Sequence, residues 1–375
     1  MNTTSPSKLN RCSAAVFGAR GYAGLELTRI LLKHPSVRLG GAFATSPFAL
    51  SQHLPEPAAR FIQARVTNDA LELARAGEFE IAFLATPTEA SIDLAPKLLE
   101  LGVKVIDLSG AFRLKGSGLD ASKIAYRKWY GFDHAALAQV QEAEYGMAAF
   151  LPAQTSARLI ANPGCYATAS LMAILPLLKE GVIDSHSISI DGKSGTTGAG
   201  RKAEERLMHA EVAGGCLPYR AGGHQHEPEI SEAALSIGGK DIDFHFTPHL
   251  LDARRGLIAS CYMRAANVPG STKKLSDGAL LDAAEAAFAS AYASNSLVEC
   301  ERLLSPGGSS PLLSLRRVLG SARTQIAYAA QGEKLYVFCL IDNLMKGAAS
   351  QAVENMNRML GLPPSTGLAE LEGTL

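Results

Sequence analysis

The most constraining feature of the chain is a short apolar run that leads into glycines and then into an amphipathic segment. The run SAAVF is followed by GARGYAG and by YAGLELTRILLK, which has apolar residues at helical spacing and ends before Pro35. A strand, a Gly-rich turn and a helix in this order are typical of dinucleotide binding. Glycine lets the backbone approach a pyrophosphate, and the helix N-terminus donates N–H groups to it. The alternative is a tight turn that uses glycine only for its backbone freedom.

Strands and helices continue to alternate through the first half of the chain. Further strands are predicted at VRLGGAFATS, FEIAFLAT and VKVIDLSG, and a helix is predicted at EASIDLAPKLLELG. This alternation predicts an α/β fold with a Rossmann-type, doubly wound parallel sheet over residues 11–162. Residues 163–342 hold more strand candidates than crossover helices, which predicts an α+β domain with a largely antiparallel sheet. The segment at about 343–361, NLMKGAASQAVENMNRMLG, predicts a long helix.

Composition argues against several classes of partner. Lys plus Arg and Asp plus Glu both number 36, so the formal net charge is zero and no nucleic-acid surface is indicated. No apolar run approaches the ~18 residues of a membrane span, and the polar start MNTTSPSKLNR lacks a signal-peptide core. The six cysteines are scattered without a Cys-x-x-Cys pair. We therefore expect a cytoplasmic protein with reduced thiols, without a metal site, a nucleic-acid partner or a membrane partner.

Two polar segments carry candidate catalytic groups. ANPGCYATA places Cys165 after a Pro-Gly turn at the start of a predicted helix, where the helix dipole favours a thiolate. GGHQHEPEI places His224, His226 and Glu229 close together. A metal site needs a third ligand that the sequence does not signal, whereas an imidazole held by a carboxylate suits a thiolate. The alternative interpretations are that Cys165 is a small buried residue and that the histidine segment is a solvated polar loop.

Other segments offer anion contacts. DGKSGTTGAGRKA follows a strand and combines backbone amides, hydroxyls and two cations, which suits phosphate groups. Arg113, in DLSGAFRL, ends the fourth predicted strand, at the edge where ligands of a doubly wound sheet bind. The alternative interpretation is that Arg113 forms an ion pair on the surface. Thr45 and Ser46 follow the second strand, where a NAD site usually has a carboxylate, so NADP is favoured as cofactor.

Six segments, in order, resemble the N-acetyl-γ-glutamyl-phosphate reductase family of the wider aspartate-semialdehyde dehydrogenase-like group. They are GARGYAG, DLSGAFRL, NPGCYATA, SGTTGAGR, HQHEPE and DNLMKGAASQAVENMN, and together they span nearly the whole chain. The resemblance implies NADPH-dependent reduction of N-acetyl-γ-glutamyl phosphate to N-acetylglutamate 5-semialdehyde in arginine biosynthesis. The reaction would pass through a cysteine thioester and release phosphate. The resemblance further implies that the C-terminal helix completes the first domain, and that the second domain serves catalysis and assembly into a homodimer or homotetramer.

The resemblance also implies roles for individual residues. Cys165 would be the nucleophile and His226 the acid/base, oriented by Glu229, with His224 as the alternative. The implied substrate-binding residues are Ser109, Arg113, Asn162 and Arg201. The implied cofactor-binding residues are Gly18, Arg20, Gly21, Tyr22, Gly24, Thr45, Ser46, Ser194, Gly195 and Asn343. Two alternatives stay open: the same chemistry on aspartyl phosphate or a carrier-bound aminoadipyl phosphate, and a non-catalytic dinucleotide sensor.

Overall fold

The computed structural model of the protein describes residues 12–267, 275–303 and 313–369. Residue 11, where the first domain is predicted to begin, and the polar N-terminus before it lie outside the described residues. In the described first half, eight strands are β1 (Cys12–Phe17), β2 (Val37–Ala44), β3 (Phe48–Ala49), β4 (Gln63–Val66), β5 (Ile81–Leu84), β6 (Lys104–Asp107), β7 (Glu144–Tyr145) and β8 (Leu159–Ala161). The helices there are α1 (Tyr22–Lys33), α2 (Ala70–Arg75), α3 (Thr88–Glu100), α4 (Leu119–Tyr130) and α5 (Leu137–Glu142).

These strands form one sheet in the order β3-β4-β2-β1-β5-β6-β8-β7. Neighbouring strands are parallel except for the pair β3 and β4. One face buries α1 together with the C-terminal helix, through Leu27, Ile30 and Val353. The other face buries α3 and α4, through Leu98 and Tyr126. The predicted doubly wound sheet is therefore confirmed.

The second half contributes a second sheet and the longest helices. In its described residues the strands are β9 (Ile188–Gly195), β10 (Cys216–Pro218), β11 (Phe244–Leu251), β12 (Leu257–Arg264), β13 (Val298–Arg302), β14 (Thr324–Gln331) and β15 (Lys334–Ile341). The helices are α6 (Cys165–Lys179), α7 (His209–Val212), α8 (His226–Gly238), α9 (Asp277–Tyr292) and α10 (Ser350–Met359). No helix among the described residues is long and apolar enough to cross a membrane.

The second sheet has the order β10-β11-β9-β12-β15-β14-β13. Its pairs are antiparallel except β9 with β11 and β13 with β14, which confirms the predicted largely antiparallel sheet. The helices α6 and α9 share a core with this sheet through Leu171, Phe288 and Val337. Because α6 is apolar on every side, it lies buried between its neighbours, with Pro176 inside it.

The C-terminal segment differs from the single long helix expected there. A π-helical turn, Met345–Ala349, precedes α10. Gly347 in this turn lies directly against the start of α6, because a Cβ added to it would come within 2.7 Å of the Cys165 Cβ. A π turn is typical of functional sites, and here it brings the end of the chain to the predicted nucleophile.

Candidate active site

Cys165 is the first residue of α6, at the edge where the parallel strands β6 and β8 end. Gly164 precedes it in an extended conformation, with φ −70° and ψ 157°. The backbone N–H of Gly164 donates to Glu229 Oε1 at 2.7 Å, and its carbonyl accepts from the Thr168 N–H at 2.7 Å. Hydrogen bonds therefore hold the turn on both sides of the peptide that presents Cys165.

His226 is the first residue of α8, and its imidazole packs against this turn. A Cβ added to Gly164 would come within 2.2 Å of His226 Nε2 and 2.8 Å of Arg113 Nη1. Glu229 lies one helical turn later, but its Oε2 is 3.9 Å from His226 Nε2, too far for a hydrogen bond. The orienting hydrogen bond expected from Glu229 is thus not formed, because its oxygens accept from other donors.

His224 lies behind His226 rather than against the turn. Its Nδ1 accepts from the His226 backbone N–H at 3.2 Å. The rings of Tyr166, Tyr219 and Phe246 surround its imidazole, with centroids 5.8, 5.6 and 5.5 Å away. The histidine segment is therefore packed into the protein, and the solvated-loop alternative is wrong for it. Among the described residues, no group of three or more His, Cys, Asp or Glu side chains is arranged to hold a metal ion.

Arg113 and Glu229 form a buried ion pair beside the turn. Arg113 Nη1 donates to Glu229 Oε2 at 3.2 Å, with both side chains almost fully buried. Arg113 Nε donates to the Asn162 carbonyl and Nη2 to the Leu108 carbonyl, each at 2.9 Å. The alternative of a surface ion pair is therefore wrong. Since a guanidinium has five N–H donors, two remain for a further acceptor.

The electrostatics of the site leave both the thiol and the imidazole uncharged near neutral pH. Burial raises the pKa of Cys165 to about 11, against the opposing effects of the Tyr166 backbone N–H and of Arg113. The thiolate expected from the helix start is thus not the resting form, because desolvation outweighs the helix N-terminus. Burial, followed by the charge of Arg113, lowers the pKa of His226 to about 3. A neutral imidazole can accept the thiol proton.

Two residues predicted to bind substrate have their polar groups directed into the protein. Asn162 is fully buried, and its Oδ1 accepts from Asn355 Nδ2 at 3.0 Å. The Ser109 hydroxyl donates to Asp107 Oδ2 at 2.8 Å and accepts from the Ala111 N–H at 3.0 Å. These bonds shape the loops around the site, and contact of either side chain with substrate stays a prediction.

The Gly-rich turn forms a cradle of backbone atoms in which the side chain of any residue other than glycine would collide with its neighbours. Gly18 has φ +76°, and a Cβ added there would lie 2.2 Å from the Ala85 carbonyl oxygen. A Cβ on Gly24 would lie 2.2 Å from the Gly18 carbonyl oxygen. Gly21 caps the N-terminus of α1 in an extended conformation. The close backbone approach and the helix start fit the pyrophosphate of a dinucleotide.

Arg201, predicted to bind substrate, lies beside this turn, and its contact with substrate stays a prediction. Its Nη1 donates to the Arg20 carbonyl at 2.7 Å, and its guanidinium carbon is 6.0 Å from the centroid of the Tyr22 ring. Thr45 and Ser46 are exposed directly after β2. The structure therefore groups Arg201 with residues predicted to bind the cofactor.

The loop after β9 meets the segment after β15. Asn343 Nδ2 donates to Thr197 Oγ1 at 3.0 Å, and its Oδ1 accepts from the Gly256 N–H at 2.8 Å. Ser194 and Gly195 end β9, and Gly195 donates to the Gly256 carbonyl at 2.9 Å. The structure thus brings together the three residues from this region that were predicted to contact the cofactor.

Sequence reasoning missed two residues next to the site. Gly347 contacts the Cys165 side chain, and a glycine inside a helical pattern was its available signal. Tyr145 donates to Glu229 Oε1 at 2.9 Å from the two-residue strand β7. Such a short strand leaves no periodic pattern, so nothing local marked Tyr145.

The sequence that forms this fold and site matches two family models in succession. Residues 13–157 match the semialdehyde dehydrogenase NAD binding domain, and residues 165–343 match the semialdehyde dehydrogenase dimerisation domain. A solved aspartate semialdehyde dehydrogenase II from Vibrio cholerae, complexed with ASA, superposes with a TM-score of 0.62 at 16% identity. The aligned region covers 94% of this chain and 99% of that one. The fold is that of the semialdehyde dehydrogenases, a class of nicotinamide-dependent oxidoreductases.

Curated relatives narrow the class to one family. The N-acetyl-gamma-glutamyl-phosphate reductase of Acidithiobacillus ferrooxidans is 38% identical over 362 residues, covering 96% of this chain and 98% of the relative. The enzyme of the same name from Geobacillus stearothermophilus is 37% identical over 364 residues, with the same coverage of both chains. The chain belongs to the N-acetyl-γ-glutamyl-phosphate reductase family.

Proposed function

We propose that this chain reduces N-acetyl-γ-glutamyl phosphate to N-acetylglutamate 5-semialdehyde with release of phosphate, in arginine biosynthesis. The observation that carries the proposal is the packing of a neutral His226 and a buried Arg113 against the turn that presents Cys165. This arrangement lies in the same chain as the Gly-rich cradle at the start of α1. A dehydrogenase acting on a plain alcohol needs no such thiol, whereas acyl transfer from phosphate does.

In the proposed mechanism, His226 accepts the proton of the Cys165 thiol. The resulting thiolate attacks the acyl carbon, the carbon–oxygen bond to phosphate breaks, and a thioester on Cys165 remains. The backbone N–H groups of the first turn of α6 stabilise the oxyanion that forms during this attack. When bound, the reduced nicotinamide supplies the hydride that converts the thioester to the aldehyde level. The imidazolium of His226 then returns its proton to the departing sulfur, which restores both groups.

We propose NADP rather than NAD as the cofactor, held by the Gly-rich turn. Thr45 and Ser46 provide no carboxylate after β2, so a 2′-phosphate meets no like charge there. Arg20 and Arg201 bring positive charge to the same region. Burial, and then the charges of Arg201 and Arg20, lower the pKa of His53, which follows β3. The ratio of kcat/KM with NADPH and with NADH tests this preference.

We further propose that residues 11–162 form the NADP-binding domain, completed by the C-terminal helix at about 343–361, and that residues 163–342 form the catalytic and oligomerisation domain. The core that α10 shares with α1 supports this division. Tyr262 is 39% exposed on the second sheet and packs beside Tyr336. Such a surface suits a second copy in a homodimer or homotetramer, which light scattering on the purified chain would measure. The six unpaired cysteines suit the proposed cytoplasmic location, which cell fractionation tests.

Phosphate-dependent oxidation of candidate aldehydes by the purified protein tests the proposed reaction. We expect a kcat/KM for N-acetylglutamate 5-semialdehyde that exceeds the value for aspartate semialdehyde and for carrier-bound aminoadipate semialdehyde. A preference for either rival would overturn the substrate assignment. After incubation with acyl phosphate, mass spectrometry should find the acyl group on Cys165. A label on another cysteine would overturn the mechanism, and the absence of any turnover would favour a dinucleotide sensor.

A further inference from the structure

Glu229 is the hydrogen-bonding centre of the buried cluster beside Cys165, and one of its donors belongs to no motif. Its Oε1 accepts from the Gly164 N–H at 2.7 Å and from the Tyr145 hydroxyl at 2.9 Å. Its Oε2 accepts from Arg113 Nη1 at 3.2 Å. Both oxygens of Glu229 are therefore engaged, and the Gly164 bond reaches the peptide directly before Cys165.

The bond between Tyr145 and Glu229 joins the two halves of the chain. Tyr145 lies in β7 at the edge of the first sheet, whereas Glu229 lies in the first turn of α8. Burial, and then the charge of Glu229, raise the pKa of Tyr145 well above its ordinary value. The hydroxyl therefore stays protonated, so Tyr145 remains a donor to the carboxylate.

We propose that Tyr145 is a positioning residue for the reaction: its hydroxyl holds the Glu229 carboxylate against the Gly164 N–H and so fixes the turn that presents Cys165. The inference rests on the proposed role of Cys165 as nucleophile. Without the hydroxyl, Glu229 can rotate toward His226 Nε2, which is now 3.9 Å from Oε2. The turn then loses the fixed acceptor of its N–H.

The same bond also affects how readily the thiol ionises. The Glu229 charge raises the pKa of Cys165, whereas the Arg113 charge lowers it. A hydrogen bond from Tyr145 disperses part of the carboxylate charge, because a donor to a charged acceptor stabilises it. Loss of the hydroxyl leaves more negative charge facing the sulfur, so ionisation of Cys165 should require a higher pH.

The test compares Tyr145→Phe with the wild-type full-length chain, since phenylalanine keeps the ring and removes only the hydroxyl. We expect kcat to fall about tenfold with KM changed less than about twofold, because Tyr145 positions the turn and does not touch substrate. The curve of the Cys165 alkylation rate against pH, measured with iodoacetamide, should shift to higher pH by about half a unit. Glu229→Gln removes the charge and should move the alkylation curve to lower pH.

Tyr292→Phe is the matched control. It also removes one buried tyrosine hydrogen bond, from Tyr292 to the Met172 carbonyl at 2.7 Å, but this bond lies along α6 beyond the first turn. We expect a lower melting temperature with wild-type kcat and an unchanged alkylation curve. The inference is overturned if Tyr145→Phe keeps the wild-type kcat and curve, or if both variants lose kcat equally. If the wild-type chain reduces no acyl phosphate, the proposed function fails, while the alkylation curves still decide the role of Tyr145.

Discussion

Replacing Gly164 with alanine tests whether catalysis needs His226 to lie against the turn before Cys165. Gly164 has φ −70° and ψ 157°, so alanine fits the backbone without strain. The added Cβ would lie 2.2 Å from His226 Nε2 and 2.8 Å from Arg113 Nη1, whereas ordinary contact begins near 3.4 Å. The imidazole must therefore retreat by about 1 Å, and a misplacement of that size costs about 100-fold in rate.

This loss corresponds to about 2.7 kcal/mol of transition-state stabilisation. Steady-state kinetics with the acyl phosphate would measure it as a lower kcat, and a thermal melt would show whether the chain remains folded. Gly278→Ala is a matched control, because none of the described residues lies within 4 Å of its added Cβ at the start of α9. It should stabilise the chain by about 0.5–1 kcal/mol and leave kcat unchanged. A Gly164→Ala kcat within twofold of wild type would refute the packing argument.

Three other predictions follow from the charges around the site. Arg201→Ala should weaken NADPH binding about tenfold, because a charged donor beside Arg20 is lost. Quenching of protein fluorescence would measure the binding, and an equal weakening of NADH binding would contradict a contact with the 2′-phosphate. Because the pKa of Cys165 is raised to about 11, its thiolate is scarce below that pH. The rate of Cys165 alkylation in the free protein should therefore still rise through pH 9 without a plateau, and a plateau near pH 7 would contradict the raised pKa. Glu354→Ala leaves Lys346 buried without the partner it contacts at 2.7 and 2.8 Å. Urea unfolding should therefore show a free energy of unfolding lower by about 3–5 kcal/mol, and a decrease under 1 kcal/mol would count against a buried uncompensated charge.

Elements with strong local patterns could be predicted from sequence. The strand, glycine turn and helix that open the fold carry apolar spacing and turn residues within a short stretch, and all appear where predicted. The strand β14 carries a weaker local signal, because three of the eight residues in TQIAYAAQ are alanine, which does not favour strands. Its pairing with β15 and β13 makes it a strand, which is a tertiary effect.

The residue types of the site were visible in the sequence, whereas their contacts were not. The thiol, the imidazole and the guanidinium each lie in a short motif, but Arg113 and Glu229 are 116 positions apart. Spacing along the chain does not determine which donor meets which acceptor. Arg201, for example, donates to the Arg20 carbonyl in the folded chain, a contact that its position in the sequence does not indicate.

The protonation state of the site was decided by tertiary structure alone. The start of α6 by itself favours a Cys165 thiolate, but tertiary packing desolvates the sulfur and raises its pKa. Likewise, nothing near Tyr145 predicts its bond to Glu229, since Tyr145 lies in β7 and Glu229 in α8, and the two residues meet only in the folded chain. Local sequence thus determined the fold class and the chemical groups of the site. Only folding determined their solvation and partners, because desolvation and hydrogen bonding depend on neighbours that are distant in sequence.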